Sequence, residues 1–419
     1  MPASRCPVSP LVEAFEPGEQ LRADRRAAFP LGAALSLRDL ETHSGGIELQ
    51  RQLQEREPVT WFDEISAWLV TSRQLVEEVL SDHERFTVHA RPSFVLSVLG
   101  DHMLSRDGEE ARHHRLPFDP SFRLRTVRDD HTDLIAGLTE SLLLGLRPAG
   151  RAELRSQFAN PLAVAVSGRA LGLAFDDVEE IGGTYDRFAE RMVDYSHDLG
   201  STVDDRTRLD ATIQRNLDRL RDAPEGCVLS TVLARSGTGL ARPDDEIIGN
   251  VRILLFGAIE TVTSIILSTT WALLTHPDQL ATVRDDPSLV QPAVNEALRW
   301  VSPVGHTERW ATCDTTIGTA EIRTGDMVLP SLAAANRDRS FFDDPDDFDL
   351  RRANARHHLA FGKGRHHCIG LNLGQLEAQI AVERMFALLH GLSLAEGEDT
   401  VPTGFGFRSP SSLEVTWDV

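Results

Sequence analysis

The stretch Phe361-Gly362-Lys363-Gly364-Arg365-His366-His367-Cys368-Ile369-Gly370 places a lone thiol among glycines, immediately ahead of an apolar-periodic run that reads as a helix from near Ile369 to about Leu389. A helix start offers unpaired backbone N–H groups and the positive end of the macrodipole, and both lower a cysteine pKa. Glycines let the backbone approach a flat ligand closely. The expectation is therefore a thiolate presented to a ligand. A zinc site would need His366, His367 and Cys368 to converge on one ion, which adjacent residues do poorly, and no C-x-x-C or H-x-x-x-H spacing is present. An inert core thiol is the other alternative.

Around that loop the chain is 419 residues long, 41% hydrophobic and 6% aromatic, with 64 acidic and 43 basic side chains. That composition excludes disordered and collagen-like chains and allows a sizeable core. The net charge of -21 repels phosphate backbones and anionic lipid, so neither nucleic acid nor membrane is expected as a partner. Any basic docking face must be local. The remaining cysteines, Cys6, Cys227 and Cys313, are far apart, and no charged-then-apolar leader opens the chain, which fits a reducing cytoplasm. The most apolar run, around Ile253 to Leu274, contains Glu260 and is read as a buried helix.

Residues 1–45 are weakly periodic and are expected to wrap the surface, with residues 46–419 as a single domain. Trp68 to Thr71 reads as a strand and Arg73 to Leu80 as a one-faced helix. Helical patterns fill Asp129 to Leu220, Asp244 to His276 and Ser288 to Trp300, and Pro303 stops the last of these. Thr315 to Ile322 and Met327 to Leu332 alternate as strands do. The sum is a mainly α fold with a minor β component.

At the cysteine loop the chain resembles the cytochrome P450 family, whose F-x-x-G-x-x-x-C-x-G signature is matched at Phe361, Gly364, Cys368 and Gly370. Three further motifs follow at family-like separations. Glu296-Ala297-Leu298-Arg299 is an E-x-x-R that by itself reads as a surface i,i+3 ion pair. The resemblance makes it a buried network with Arg352, which holds the cysteine loop. Gly257-Ala258-Ile259-Glu260-Thr261 is similar to [AG]-G-x-[DE]-T, with Ala258 in place of a glycine. It implies that Thr261 orients bound dioxygen and Glu260 delivers protons from solvent; alone, the same residues read as a back-bonded threonine beside a buried acid. The third motif departs from the family's D-x-x-E-H-x-x-x-R: Asp107-Gly108-Glu109-Glu110 leads to Ala111 at the histidine position and Arg115 at the arginine position. One propionate contact is thus missing, with His113 or His114 as candidate substitutes.

The resemblance implies the P450 triangular-prism fold, one haem b with Cys368 as axial iron ligand, and Arg115, Arg309 and His366 on the propionates. It implies a monooxygenase that inserts one atom of O2 into a small or medium lipophilic molecule by hydroxylation, epoxidation or demethylation, as in secondary metabolism. The substrate pocket is expected at Phe94, Val95, Leu99, Leu254, Ala258, Val301, Val304 and Phe405, near helices at 170 to 200. Oxidative coupling or desaturation is the alternative outcome, and a non-catalytic haem-binding gas sensor a remote one. Two segments oppose the overall charge. Arg351 to His367 holds five Lys/Arg and no acid, and Arg112 to Arg128 nets +4. A ferredoxin, itself served by a ferredoxin reductase, is expected to dock there.

Overall fold

The computed structural model describes residues 11–91, 94–178, 181–185, 200–235 and 241–419. Its largest apolar core is helical. The long helix Asp244–Thr275 runs through the middle, opening with Asp244, Asp245 and Glu246 in its first turn, where the helix dipole favours acids. It is long and apolar enough to cross a membrane, yet most of its residues are buried against other helices. Its neighbours are the helices Asn160–Leu171, Val290–Val301 and Leu371–Leu388, and the last of these also packs along Leu124–Leu146.

A smaller apolar cluster underlies a five-stranded sheet in the order Val59–Phe62, Ala67–Val70, Met327–Pro330, Arg309–Ala311, Phe86–Thr87. Only the Ala67–Val70 and Met327–Pro330 strands run parallel; the other neighbours are antiparallel. This register sets Val328 beside Arg309 and so fixes where Arg309 leaves the sheet. The strands expected at Trp68 to Thr71 and Met327 to Leu332 and the helix expected at Arg73 to Leu80 are present within a residue or two.

In the 11–45 segment the weak periodicity under-reads helix. Glu19–Ala28, Pro30–Ala33 and Leu37–Glu41 are all helical. Arg25 is buried there, in a bidentate pair with Asp326 (2.6 and 3.1 Å), with its guanidinium 4.3 Å from the Trp61 ring centroid. The segment is thereby tied to the sheet by a desolvated ion pair.

Candidate functional site

Cys368 lies three residues before the start of the Leu371–Leu388 helix, in a loop closed by Cys368 N–H donating to the Phe361 carbonyl (3.0 Å) and Gly362 N–H to that of Leu359 (2.8 Å). Gly364 has a φ of +75°, and a Cβ there would sit 2.4 Å from the Leu80 carbonyl oxygen, so only glycine lets the loop pass this close to the Arg73–Ser81 helix. Lys363 clamps the same contact by pairing with Glu77.

The loop is supported from beneath by a buried network. Glu296 and Arg299 are fully buried and joined by two hydrogen bonds, of 2.7 and 2.8 Å. Arg352 Nε adds a third bond to the Glu296 carboxylate (3.0 Å), and Arg299 donates to the carbonyls of Asn336, Pro345 and Asp347. Asn336 in turn accepts from Leu359 N–H (2.6 Å), two residues before Phe361. Surface pairing is thus excluded for this E-x-x-R; its charges are desolvated and saturated with backbone partners.

A cavity of about 410 Å³ separates the cysteine loop from the long helix. Cys368, Phe361, His366 and Gly370 line one wall, Gly257, Ala258 and Thr261 another. A Cβ built on Gly257 meets nothing within 4 Å, so the small residues leave open space opposite the thiol. Arg309 also lines the cavity. It is buried, donates only to the Thr307 hydroxyl (3.5 Å) and the Glu308 carbonyl (2.8 Å), and has no ion pair among the described residues. Burial pulls its guanidinium down to about 10. The charges of Asp107 and Glu308 offset this only in part, a desolvated cation with no acid in contact is costly, and a carboxylate-bearing ligand in the cavity would relieve it. Thiol, flat small-residue wall and unmatched cation together fit a haem with its propionates.

Several expected contacts are placed otherwise. His366 reaches the cavity, but its Nε2 donates to Asp107 Oδ1 (2.9 Å). Arg115 is not in the lining; its guanidinium donates to the His367 carbonyl (2.7 Å) and pairs with Asp119 (3.0 Å), bracing the loop from outside. Gly364 also stands off the cavity, at the Leu80 contact. His113 and His114 do not compensate for Ala111, because His113 accepts from Arg242 (2.6 Å) and His114 from Asn250 (3.2 Å), both toward the start of the long helix. The Cys368 thiol is pushed up, not down: burial outweighs the Gly370 and Leu371 N–H groups and the nearby Arg115 charge. A coordinating metal ion deprotonates a thiol outright, so this does not oppose ligation.

Among expected pocket residues, Val95, Leu254, Ala258, Val304 and Phe405 line the cavity. Leu99 and Val301 do not; both are buried in the core, where helix packing claims them. The Phe94 side chain lies outside the described residues, as do 179–180 and 186–199 of the 170 to 200 region. Phe405 arrives through Gly305, where a Cβ would fall 2.0 Å from the Phe405 carbonyl oxygen.

Thr261 donates to the Gly257 carbonyl (2.5 Å), the back-bonded geometry, while facing the cavity. Glu260 is off the lining, and Arg155 grips it with three contacts of 3.2 Å. Sequence reasoning missed Arg155, which lies 105 positions away and carries no local signal. It also missed Asp107 as a histidine partner and Glu377, a cavity-lining acid between apolar Leu373 and Ala381, one helical turn to either side. That last pattern was legible.

A cytochrome P450 family model matches residues 209–390. The chain is 30% identical over 372 residues to pentalenic acid synthase of Streptomyces avermitilis, covering 86% of this chain and 90% of that one. It is 32% identical to cytochrome P450 107B1 of Saccharopolyspora erythraea, covering 78% of each. Among solved structures, P450BioI in complex with an acyl carrier protein ligated to hexadec-9Z-enoic acid superposes with a TM-score of 0.82 at 27% identity, over 89% of this chain and 98% of that one. With the thiol, the buried E-x-x-R network and the long helix in one arrangement, the chain belongs to the cytochrome P450 family and is a haem-thiolate monooxygenase.

Proposed function

We propose that this enzyme inserts one oxygen atom into a small or medium lipophilic substrate, by hydroxylation, epoxidation or demethylation, using haem b and electrons from a separate ferredoxin. The observation that carries the reading is the position of Cys368 across the cavity from Ala258 and Thr261. Bound haem supplies the activation of dioxygen. Cys368 would hold its iron and Arg309 a propionate, while His366 stays on Asp107 at the cavity wall. Thr261 would present its hydroxyl to the cavity as a proton donor, and the Arg155-held Glu260, partly exposed, would exchange protons with solvent.

Support for a lipophilic substrate comes from the lining. Val95, Leu254, Phe256, Val304, Phe405 and Phe407 offer apolar contact with few fixed charges. A fatty acyl chain in P450BioI and the pentalenic acid named for the Streptomyces relative are consistent with such a guest, and the latter with a role in secondary metabolism. Ferredoxin docking is supported by arginines on the cysteine side. Arg123, Arg128, Arg356 and Arg365 are exposed and without an ion pair among the described residues. Arg115, Arg352 and Lys363 are instead used internally. The two basic segments meet where Arg115 reaches His367 and Asn372 donates to the Phe122 carbonyl (2.9 Å). We assign the reaction to the cytoplasm, where reduced ferredoxin is available.

The test is an absorption spectrum of the dithionite-reduced protein with and without carbon monoxide, beside Cys368→Ser. A Soret band at the long-wavelength position of thiolate-ligated ferrous-CO haem, lost in the variant, is the expected result. A band at the histidine-ligated position, or one that survives in Cys368→Ser, overturns it.

A further inference from the structure

Thr403 and Ser409 bridge the base of a short hairpin in which Gly404 turns at a φ of +109°, where a Cβ would fall 1.9 Å from the Phe407 carbonyl oxygen. Gly404, Phe405, Gly406 and Phe407 line the cavity, whereas Arg408, the next residue, does not. Arg408 is 4% exposed. Its Nε donates to the Val301 carbonyl (3.1 Å) and its Nη1 to that of Gly404 (2.7 Å). The backbone of the same residue adds two more ties: its N–H donates to the Pro303 carbonyl (2.9 Å), and its carbonyl accepts from the Ser264 hydroxyl (2.5 Å). One residue thus joins the hairpin to the end of the Val290–Val301 helix, to the turn that follows, and to the long helix three positions past Thr261.

No acid pairs with Arg408 among the described residues, and burial pulls its guanidinium down to about 10. A desolvated cation without a counter-charge is a poor source of stability, and an apolar side chain of similar volume is often as stable in such a place. What arginine adds is a planar fork that donates in fixed directions, which neither an apolar chain nor a flexible ammonium can do. The fork spans two carbonyls on different elements, so it limits how far the hairpin can move from the 301–305 turn. Gly305 sets the opposite limit, because the Phe405 carbonyl lies where its Cβ would be, and its N–H donates to the Gly406 carbonyl (2.8 Å). Between these limits Phe405 and Phe407 have little freedom.

We infer that Arg408 is a positioning residue for substrate: without touching the guest, it fixes how far Phe405 and Phe407 stand into the cavity. The inference rests on the cavity being the substrate site proposed above. It assigns the uncompensated charge to the shape of the apolar wall and not to the stability of the fold.

Two nitrogen ligands test this in the haem-loaded protein, each titrated by its Soret shift. Imidazole is small enough to need little beyond the iron, whereas 4-phenylimidazole must also fit its ring against the apolar wall. In Arg408→Met the ratio of the 4-phenylimidazole to the imidazole dissociation constant should rise about tenfold, the scale of one lost aromatic contact. Arg408→Lys should not restore it, because an ammonium lacks the fork. Ser264→Ala, which loosens the same hairpin from the long helix, should move the ratio in the same direction and serves should Arg408→Met fail to fold. Hydrogen–deuterium exchange gives a second reading that needs no haem: the Gly305 and Ser409 amides should exchange faster in Arg408→Met. A ratio that is unchanged or falls, or exchange that stays as in the parent, overturns the inference. Failure of the haem-thiolate reading would instead show in the carbon monoxide spectrum of the parent, and the exchange measurement would still decide this one.

Discussion

Arg155 and Glu260, one at the start of a π-helical turn and the other in the middle of the long helix, form a two-pronged ion pair at 3.2 Å in which both side chains stay about a quarter exposed. Arg155 is further tied to the Pro410 carbonyl (3.3 Å). A single turn of π-helix is a common device for re-aiming a side chain at a functional site. Here it directs a guanidinium at the acid next to Thr261. Arg155→Met should leave haem binding intact and reduce the product formed per electron pair by a few-fold, toward the value for Glu260→Gln. Equal coupling in Arg155→Met and the parent would show that the pair lies outside the proton path.

Thr261→Ala removes the hydroxyl that the long helix turns toward the cavity. General acid–base and proton-positioning groups contribute roughly 10²–10⁴ in rate, so product formation should drop by about 10² while electron consumption continues and peroxide accumulates. The substitution also removes the bond to the Gly257 carbonyl. Thr261→Ser restores both hydroxyl functions and should recover most of the coupling, which separates proton positioning from helix geometry.

Removing one member of a buried ion pair strands the other charge, at a cost of about 3–5 kcal/mol. Glu296→Gln and Arg299→Ala should therefore yield protein with little haem, measured as the haem-to-protein ratio after expression. Arg299→Lys should fail too, because an ammonium cannot replace the fork that reaches Glu296 and three carbonyls.

Arg309→Leu is expected to move two measurements in opposite directions. It removes a buried cation without an acidic partner, so the haem-free protein should melt at a higher temperature. It also removes the donor available to a propionate, so haem should dissociate faster to an acceptor such as apomyoglobin. A fall in both would mean that Arg309 is a structural residue of the Arg309–Ala311 strand only.

Acid should destabilise the fold through neutral buried imidazoles. His102 and His306 are held down to about 3 and about 4, each chiefly by burial. The unfolded chain takes up these protons as pH falls through about 6.5, while the folded chain does not until pH 3–4. The unfolded state then binds more protons, so this part of the stability is complete above about pH 6.5 and is lost as pH falls toward 4. At about pH 5 each histidine should cost about 2 kcal/mol. Urea unfolding between about pH 5 and 7 measures the slope, and His102→Leu should make it shallower.

How far the chain could be read depended on distance along it. The Cys368 loop, the Glu296–Arg299 spacing and the Gly257 to Thr261 segment were legible because a helical turn or a tight loop makes neighbours of residues three to eight positions apart, whatever the remaining structure does. The long helix was legible for the same reason, since apolar residues around its whole circumference announce complete burial. What the spacing could not carry was which partner a side chain meets across the fold. Cys368 was expected as a low-pKa thiol from its helix, but the depth of the cavity reversed the sign. His366 was expected to be free for a propionate, but Asp107, 259 positions away, occupies its Nε2. Leu99 and Val301 have the right chemistry for a pocket and are taken by the core. Sequence determined the thiol, its glycines and the helices on either side, because these follow from local backbone geometry. Tertiary structure alone decided that Arg155 holds Glu260, that Arg309 is left without an acid, and that Glu377 is sealed from bulk water, because burial and counter-charge are properties of packed surfaces that no short stretch of chain contains.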